Sequence, residues 1–187
     1  MKVLLVSHAF GPGRGSEPGI GWNWARYLSR DHQIWVLAHP EFRADVETWL
    51  AERPTPQLHM VWLQATKWDP RKGQAGVGWH YLRWLKQAER VGRSLHAEVA
   101  FDLVHHVSLG TISAPAGWWK LGIPFVWGPV GGAQTCPAEL LSLFEGALWR
   151  EWLRPLRLRV LRHYPPFRAA VANSRRPRPD PWADFST

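Results

Sequence analysis

The sequence is poor in cysteine and has no long apolar run. Its 187 residues contain a single cysteine, Cys136, which excludes a disulfide framework and a cysteine-based zinc site. A lone cysteine fits a reducing compartment, so we expect a cytoplasmic protein. No segment approaches the ~18 consecutive apolar residues of a membrane span. The apolar run at residues 3–6 is too short for the core of a secretory signal, so we expect no leader.

Several signatures of known chemistry are also missing. No G-x-S-x-G nucleophile elbow occurs. The first glycine-rich loop (GPGRG, residues 11–15) departs from the G-x-G-x-x-G dinucleotide fingerprint, which weakens an NAD interpretation. The histidines show no helical i,i+4 pairing with a carboxylate, and the adjacent His105 and His106 cannot put both rings on one face of a strand. We expect no metal and no bound cofactor.

The sequence is rich in tryptophan and in positive charge. It holds 14 tryptophans, and 23 lysines and arginines against 15 acidic residues give a formal net charge of +8. Such a charge is compatible with nucleic acid, an anionic membrane surface or phosphorylated small molecules. A GC-rich genome would raise the arginine content without any functional meaning.

Apolar runs of strand length alternate with amphipathic stretches of helical length. The predicted strands are residues 2–7, 33–38, 58–63, 101–107, 123–127 and 168–174. The first predicted helix ends at Leu28. The others cover residues 41–51, 78–96, 110–120 and 137–163, the last with a break or kink at Pro155. This alternation predicts an α/β domain over residues 1–174, with a doubly wound parallel sheet of about six strands and helices on both faces. Residues 64–76 are expected to form a polar loop, and the Pro- and Arg-rich residues 175–187 a disordered tail.

Residues 1–28 form a predicted strand, glycine-rich loop and helix. Pro18 suits the first turn of the helix, which Ser16 or Glu17 can cap. Free backbone N–H groups at a helix N-terminus can bind a phosphate or the polar end of a sugar. The alternative is a tight turn of the kind found in any α/β protein.

Three polar or glycine-rich loops are expected to meet at one edge of the sheet, where ligands of open α/β sheets bind. They are residues 10–19, 105–108 and 128–134. His106, at a strand end, can hydrogen-bond a sugar hydroxyl or a phosphate, or shuttle a proton. The alternative is a buried structural histidine. His105 is expected to point to the opposite face of the sheet.

Four stretches together resemble the N-terminal domain of a family 4 glycosyltransferase of the GT-B class. They are GSEPGIGWNWA (residues 15–25), FDLVHH (101–106), GIPFVWGPVGG (122–132) and ANS (172–174). The resemblance implies a Rossmann-like domain that holds the acceptor, while a second such domain holds the nucleotide-sugar donor. It implies that His106 lies at the reaction centre. It also assigns substrate binding to Gly15, Ser16, Glu17, Gly19, Gly131 and Gly132, with Gly15 and Gly19 shaping a diphosphate-facing loop.

The resemblance does not extend to the second domain. The family's basic pair and E-x7-E carboxylates belong to that half, whereas Glu139, Glu145 and Glu151 are spaced by six. After Ser174 the sequence changes abruptly to RRPRP. This change suggests a truncated or frameshifted reading frame.

Three functions remain open from the sequence. The first is the acceptor-binding half of a glycosyltransferase, inactive alone because transfer needs donor and acceptor held together. The second is a free-standing module that binds a glycan or lipid-linked acceptor, or that pairs with a separately encoded donor domain. The third is a nucleic-acid-binding protein. The spread of the arginines and the absence of a nucleic-acid motif argue against the third, so we expect no nucleic-acid partner.

Residues 140–163 predict a basic, tryptophan-bearing amphipathic helix. Such a helix suits an anionic bilayer, which here would be the inner face of the membrane. The alternative is a helix packed on the core with a solvated basic face.

Overall fold

The computed structural model describes residues 1–63, 73–143 and 148–174. The predicted tail and most of the predicted polar loop lie outside these residues. The α-helices and strands are β1 (Lys2–Ser7), α1 (Ser16–Leu28), β2 (Gln33–Ala38), α2 (Arg43–Glu52), β3 (Leu58–Trp62), α3 (Gly73–Val99), β4 (Leu103–Ser108), β5 (Phe125–Trp127), α4 (Leu148–Leu161) and α5 (Pro165–Asn173). Short 3-10 helices cover Pro40–Phe42, Trp118–Leu121 and Ala138–Leu143.

The strands form one five-stranded, all-parallel sheet in the order β3-β2-β1-β4-β5. β1 is central, and its Leu5 lies opposite Val36 of β2 and His105 of β4. β1 and β2 have the predicted bounds, because each is a short apolar run bounded by turn residues. The α/β class with Rossmann-like topology is therefore confirmed.

The predicted sixth strand is wrong. Residues 168–174 lie mostly in α5, and only Ser174 makes an isolated bridge to Phe125. Pro165 and Pro166 occupy the first turn of α5, where a fixed φ and a missing N–H favour helix. Three alanines follow in α5, and alanine is the best helix former.

Helices cover both faces of the sheet, as predicted. Leu4 and Val6 of β1 pack in one buried cluster with Trp84 of α3. Val3 and Leu5 alternate with them and pack in a second cluster, with α1 and α2. Because strand side chains alternate between faces, the inner strands β1, β2 and β4 are buried on both sides, whereas β3 and β5 at the edges are mostly half-buried.

Two predicted helices differ from the structure. Residues 110–120 form bends and turns before the 3-10 helix Trp118–Leu121, with Pro115 inside the stretch and the Glu89 carboxylate accepting a hydrogen bond from Gly117 N. In place of one helix over 137–163, the described residues contain the 3-10 helix Ala138–Leu143 and α4. Helix α4 continues through Pro155 instead of breaking there.

Candidate functional site

The candidate site lies where the strand order reverses. From β1 the chain adds β2 and β3 on one side, then returns to add β4 and β5 on the other. The carboxyl ends of β1 and β4 therefore border the crevice in which open α/β sheets bind ligands. The loops that follow β1, β4 and β5 all lie at this edge of the sheet.

The start of α1 forms the first wall of the crevice. The residue before the helix is Gly15, and no side chain caps this described terminus, so the predicted cap by Ser16 or Glu17 is wrong. Gly15 and Ser16 are exposed. A Cβ at Gly19 would overlap the carbonyl oxygen of Arg14, so only glycine lets the loop fold this closely onto the helix.

Glu17 joins α1 to the loop after β4. Its Oε2 accepts a hydrogen bond from Leu109 N at 3.1 Å. Leu109 has a φ of 53° and Ser16 a φ of 55°, values in the left-handed region that L-residues rarely adopt. Two strained residues on either side of one carboxylate indicate a loop arrangement fixed by tertiary contacts, as functional sites often are.

The loops after β4 and β5 are joined through one predicted glycine, Gly131. Gly131 N donates to Gly110 O at 2.7 Å, and Ile112 N donates to Gly131 O at 3.2 Å. A Cβ at Gly110 would overlap the carbonyl oxygen of Pro129, so the two loops approach too closely for any side chain there. Gly132 is exposed, and its N–H donates to Gln134 Oε1 at 3.0 Å.

His106 lies below the crevice and is fully buried. Its Nε2 shares a hydrogen bond of 3.1 Å with the hydroxyl of Tyr81 from α3. Burial, together with the neighbouring His105, lowers the pKa of His106 to about 4, and a backbone hydrogen bond at Ser108 partly opposes this shift. The ring is neutral at pH 7, so it can hydrogen-bond but carries no charge. Contact between His106 and a substrate stays a prediction.

His105 points to the opposite face of the sheet, as predicted. Its ring packs edge-on against Trp24 of α1 with centroids 4.9 Å apart, and its Nε2 lies 3.0 Å from Gly128 O. Burial lowers its pKa below the ordinary value. The histidine therefore anchors the loop after β5 and does not enter the crevice.

Two buried serines under the crevice were missed in the sequence. The hydroxyls of Ser7 and Ser108 lie 3.0 Å apart and share a hydrogen bond, the Ser7 hydroxyl donates to Ala9 O at 2.8 Å, and Ala9 O lies 3.2 Å from the Ser108 hydroxyl. They join the ends of β1 and β4 at the switch point. Each is the last residue of its strand, which is the sequence signal that could have identified them.

A cluster of histidines was missed as well. His8 follows β1, His39 follows β2, and His80 lies on α3. The ring of His8 lies 5.0 Å from that of His39 and 5.7 Å from that of His80, and it packs edge-on against Trp84 at 4.8 Å. Burial, and after it charge repulsion from His39, His80 and His106, lowers the pKa of His8 to about 3. Positions directly after two adjacent parallel strands could have predicted this grouping.

The described residues contain no group of three or more histidine, cysteine or acidic side chains placed to hold a metal ion. The crevice presents backbone N–H groups, carbonyls and small residues, and its one central carboxylate, Glu17, is engaged by a backbone N–H. These groups suit a neutral or anionic ligand rich in hydroxyls.

The fold defines the class, an α/β protein with Rossmann-like topology, and its candidate site lies at the switch point of the sheet. Comparisons with protein-family models, curated proteins and solved structures found no match to this chain.

Proposed function

We propose that this chain is the acceptor-binding half of a nucleotide-sugar-dependent glycosyltransferase of cell-envelope or other glycan synthesis. The observation that carries the proposal is the uncapped start of α1, held by Glu17 beside the paired loops after β4 and β5. The N-terminus of α1 offers N–H groups and the positive end of a helix dipole to a phosphate-bearing end. Gly131 and Gly132 offer carbonyl oxygens to sugar hydroxyls, since their N–H groups already donate to Gly110 O and Gln134 Oε1.

In this proposal the crevice residues have separate tasks. Gly15, Ser16 and Gly19 form the phosphate-facing turn, and Glu17 positions the acceptor loop through Leu109 N. His106 is proposed at the reaction centre. A fully buried ring touches a ligand only after the side chains above it move, so its contact would form as the site closes on both substrates.

The donor is a nucleotide sugar bound by a second domain. Positioning both substrates supplies much of the rate of a transfer reaction, so these residues by themselves are proposed to bind acceptor without transferring sugar. A cytoplasmic location, as the single cysteine suggests, fits this proposal.

Titration of the 15N-labelled protein with simple sugars tests the acceptor site. We expect methyl glycosides and glucose 1-phosphate to shift the amide resonances of Ser16, Leu109, Gly131 and Gly132. Nucleotide sugars should shift the resonance of Ser16 at most, since their nucleotide is held by the second domain. Shifts confined to the opposite edge of the sheet, or no saturable shift with any sugar, would contradict the proposal.

Replacement of Glu17 should weaken sugar binding selectively. Glu17→Ala removes the acceptor for Leu109 N and frees the strained loop, at a cost of about 1.5 kcal/mol or roughly tenfold in affinity. The measurement is the dissociation constant from the same titration. The matched control is Glu47→Ala, which removes an exposed ion pair with Arg43 on α2 and should change affinity less than twofold. Equal losses of sugar affinity in both variants would show that Glu17 is not part of the binding site.

A further inference from the structure

Helix α4 carries an apolar stripe that is largely exposed among the described residues. Its members are Trp149, Leu153, Leu156 and Val160, which are 60%, 51%, 56% and 64% exposed. At about 100° of rotation per residue, their spacing of four, three and four puts them on one face of the helix. This exposure among the described residues argues against a helix packed on the core through its apolar face.

Arginines border the stripe on both sides. Arg157 and Arg159 lie roughly 80° to either side of the stripe on the helical projection, and both are exposed. The helix contains four arginines and one glutamate. The glutamate, Glu151, forms an ion pair with Arg154 at 2.6 Å. An exposed apolar face flanked by unbalanced positive charge complements an anionic bilayer better than it complements an ordinary protein surface.

The length of α4 fits a helix that lies on a bilayer. Its 14 residues span about 21 Å, which is shorter than the ~30 Å hydrocarbon core of a membrane. Among the residues that the structure describes, no helix is long and apolar enough to cross a membrane.

Helix α4 lies next to the candidate site, through two arginines outside the stripe. Arg154 Nη1 donates to Gln134 O at 3.1 Å in the loop after β5, and Arg157 hydrogen-bonds Ser113 Oγ in the loop after β4. The same Gln134 accepts a hydrogen bond from Gly132 N. A surface bound through α4 would therefore lie close to the acceptor loops.

From these observations, we propose that the α4 stripe docks flat on an anionic lipid bilayer and holds the crevice beside it. The occupant of the crevice would then be a lipid-linked acceptor. The acceptor class rests on the proposed function, whereas the docking does not.

Flotation with vesicles tests the docking. We expect the protein to float with phosphatidylcholine vesicles that contain one third phosphatidylglycerol, at low salt, and not with phosphatidylcholine alone. High salt should weaken binding, by about fivefold for each arginine whose attraction to the lipid headgroups is screened. Absence of binding to the anionic vesicles would overturn the proposal.

Substitution within the stripe separates docking from nonspecific attraction. Leu153→Glu with Leu156→Glu should lower the bound fraction at least about tenfold, because two apolar side chains no longer enter the bilayer. The control is Trp79→Glu, since Trp79 is 69% exposed on α3 and lies outside the stripe. Circular dichroism checks that each variant is folded. Equal binding by the stripe variant and the wild type would overturn the proposal.

Sedimentation identifies the competing occupant. Self-association that disappears in the stripe variant, without vesicle binding by the wild type, would assign the face to a second copy of this chain and overturn the proposal. Flotation without sugar binding in the titration would retain the docking and refute the proposed function. Sugar binding without flotation would refute the docking and retain the proposed function.

Discussion

Acidification should destabilise this protein by about 3 kcal/mol at about pH 4.5 through His8 alone. Burial, with the charges of His39, His80 and His106, holds the pKa of His8 near 3 in the folded chain, against an ordinary value of 6.5. Burial likewise lowers the pKa of His39, which Glu41 partly opposes, and that of His106, which falls to about 4.

The direction of the effect follows from proton uptake. A histidine with a lowered folded-state pKa binds a proton more readily in the unfolded chain. Its contribution to stability is therefore complete above about pH 6.5 and is lost as pH falls from there toward about 3. A loss of about 3 kcal/mol is a large share of the 5–15 kcal/mol by which domains are stable.

Urea unfolding at a series of pH values measures this effect. His8→Phe keeps an aromatic ring against Trp84 and removes the titrating group, so we expect the free energy of unfolding to fall much less between about pH 7 and pH 4.5. His163→Gln, at an exposed histidine after α4, is the control and should keep the wild-type acid response. A pH profile unchanged in His8→Phe would show that His8 does not cause the acid response.

Burial on both faces explains which parts of the fold could be predicted. β1 and β2 have continuous apolar runs, and tertiary structure reinforces that local signal. Residues 168–174 have a similar apolar content, yet their alanines and the preceding prolines favour a helix. Hydrophobicity alone does not separate a short strand from a short helix, and here propensity decided the outcome.

The position of the candidate site could be predicted from the sequence, but most of its side-chain contacts could not. Three loops could be placed at one edge because parallel strands end on the same side of a sheet. The Tyr81–His106 hydrogen bond and the Glu17–Leu109 contact join residues 25 and 92 positions apart. No local spacing encodes such pairs, since they depend on how α3 and α1 pack on the sheet.

Gly21, which lies in α1 next to the end of β1, is expected to be sensitive to substitution by alanine. A Cβ there would overlap Ser7 Oγ and lie 3.1 Å from Ala9 O. Ser7 is fully buried, and its hydroxyl is fixed by Ala9 O and Ser108. The added methyl must therefore move the helix or break those hydrogen bonds. We expect Gly21→Ala to lower the free energy of unfolding by about 3 kcal/mol.

A double-mutant cycle separates the steric cause from helix propensity. Gly78→Ala, in α3 where a Cβ would meet nothing within 4 Å, should instead stabilise the protein by about 0.5–1 kcal/mol. In a Ser7→Ala background the Gly21→Ala loss should shrink without vanishing, because Ala9 O still confines the methyl. Urea unfolding of the four chains of the cycle measures the coupling. Strictly additive losses in the free energy of unfolding would mean that Ser7 does not set the distance between α1 and β1. The shape of the crevice would then depend on the loops alone.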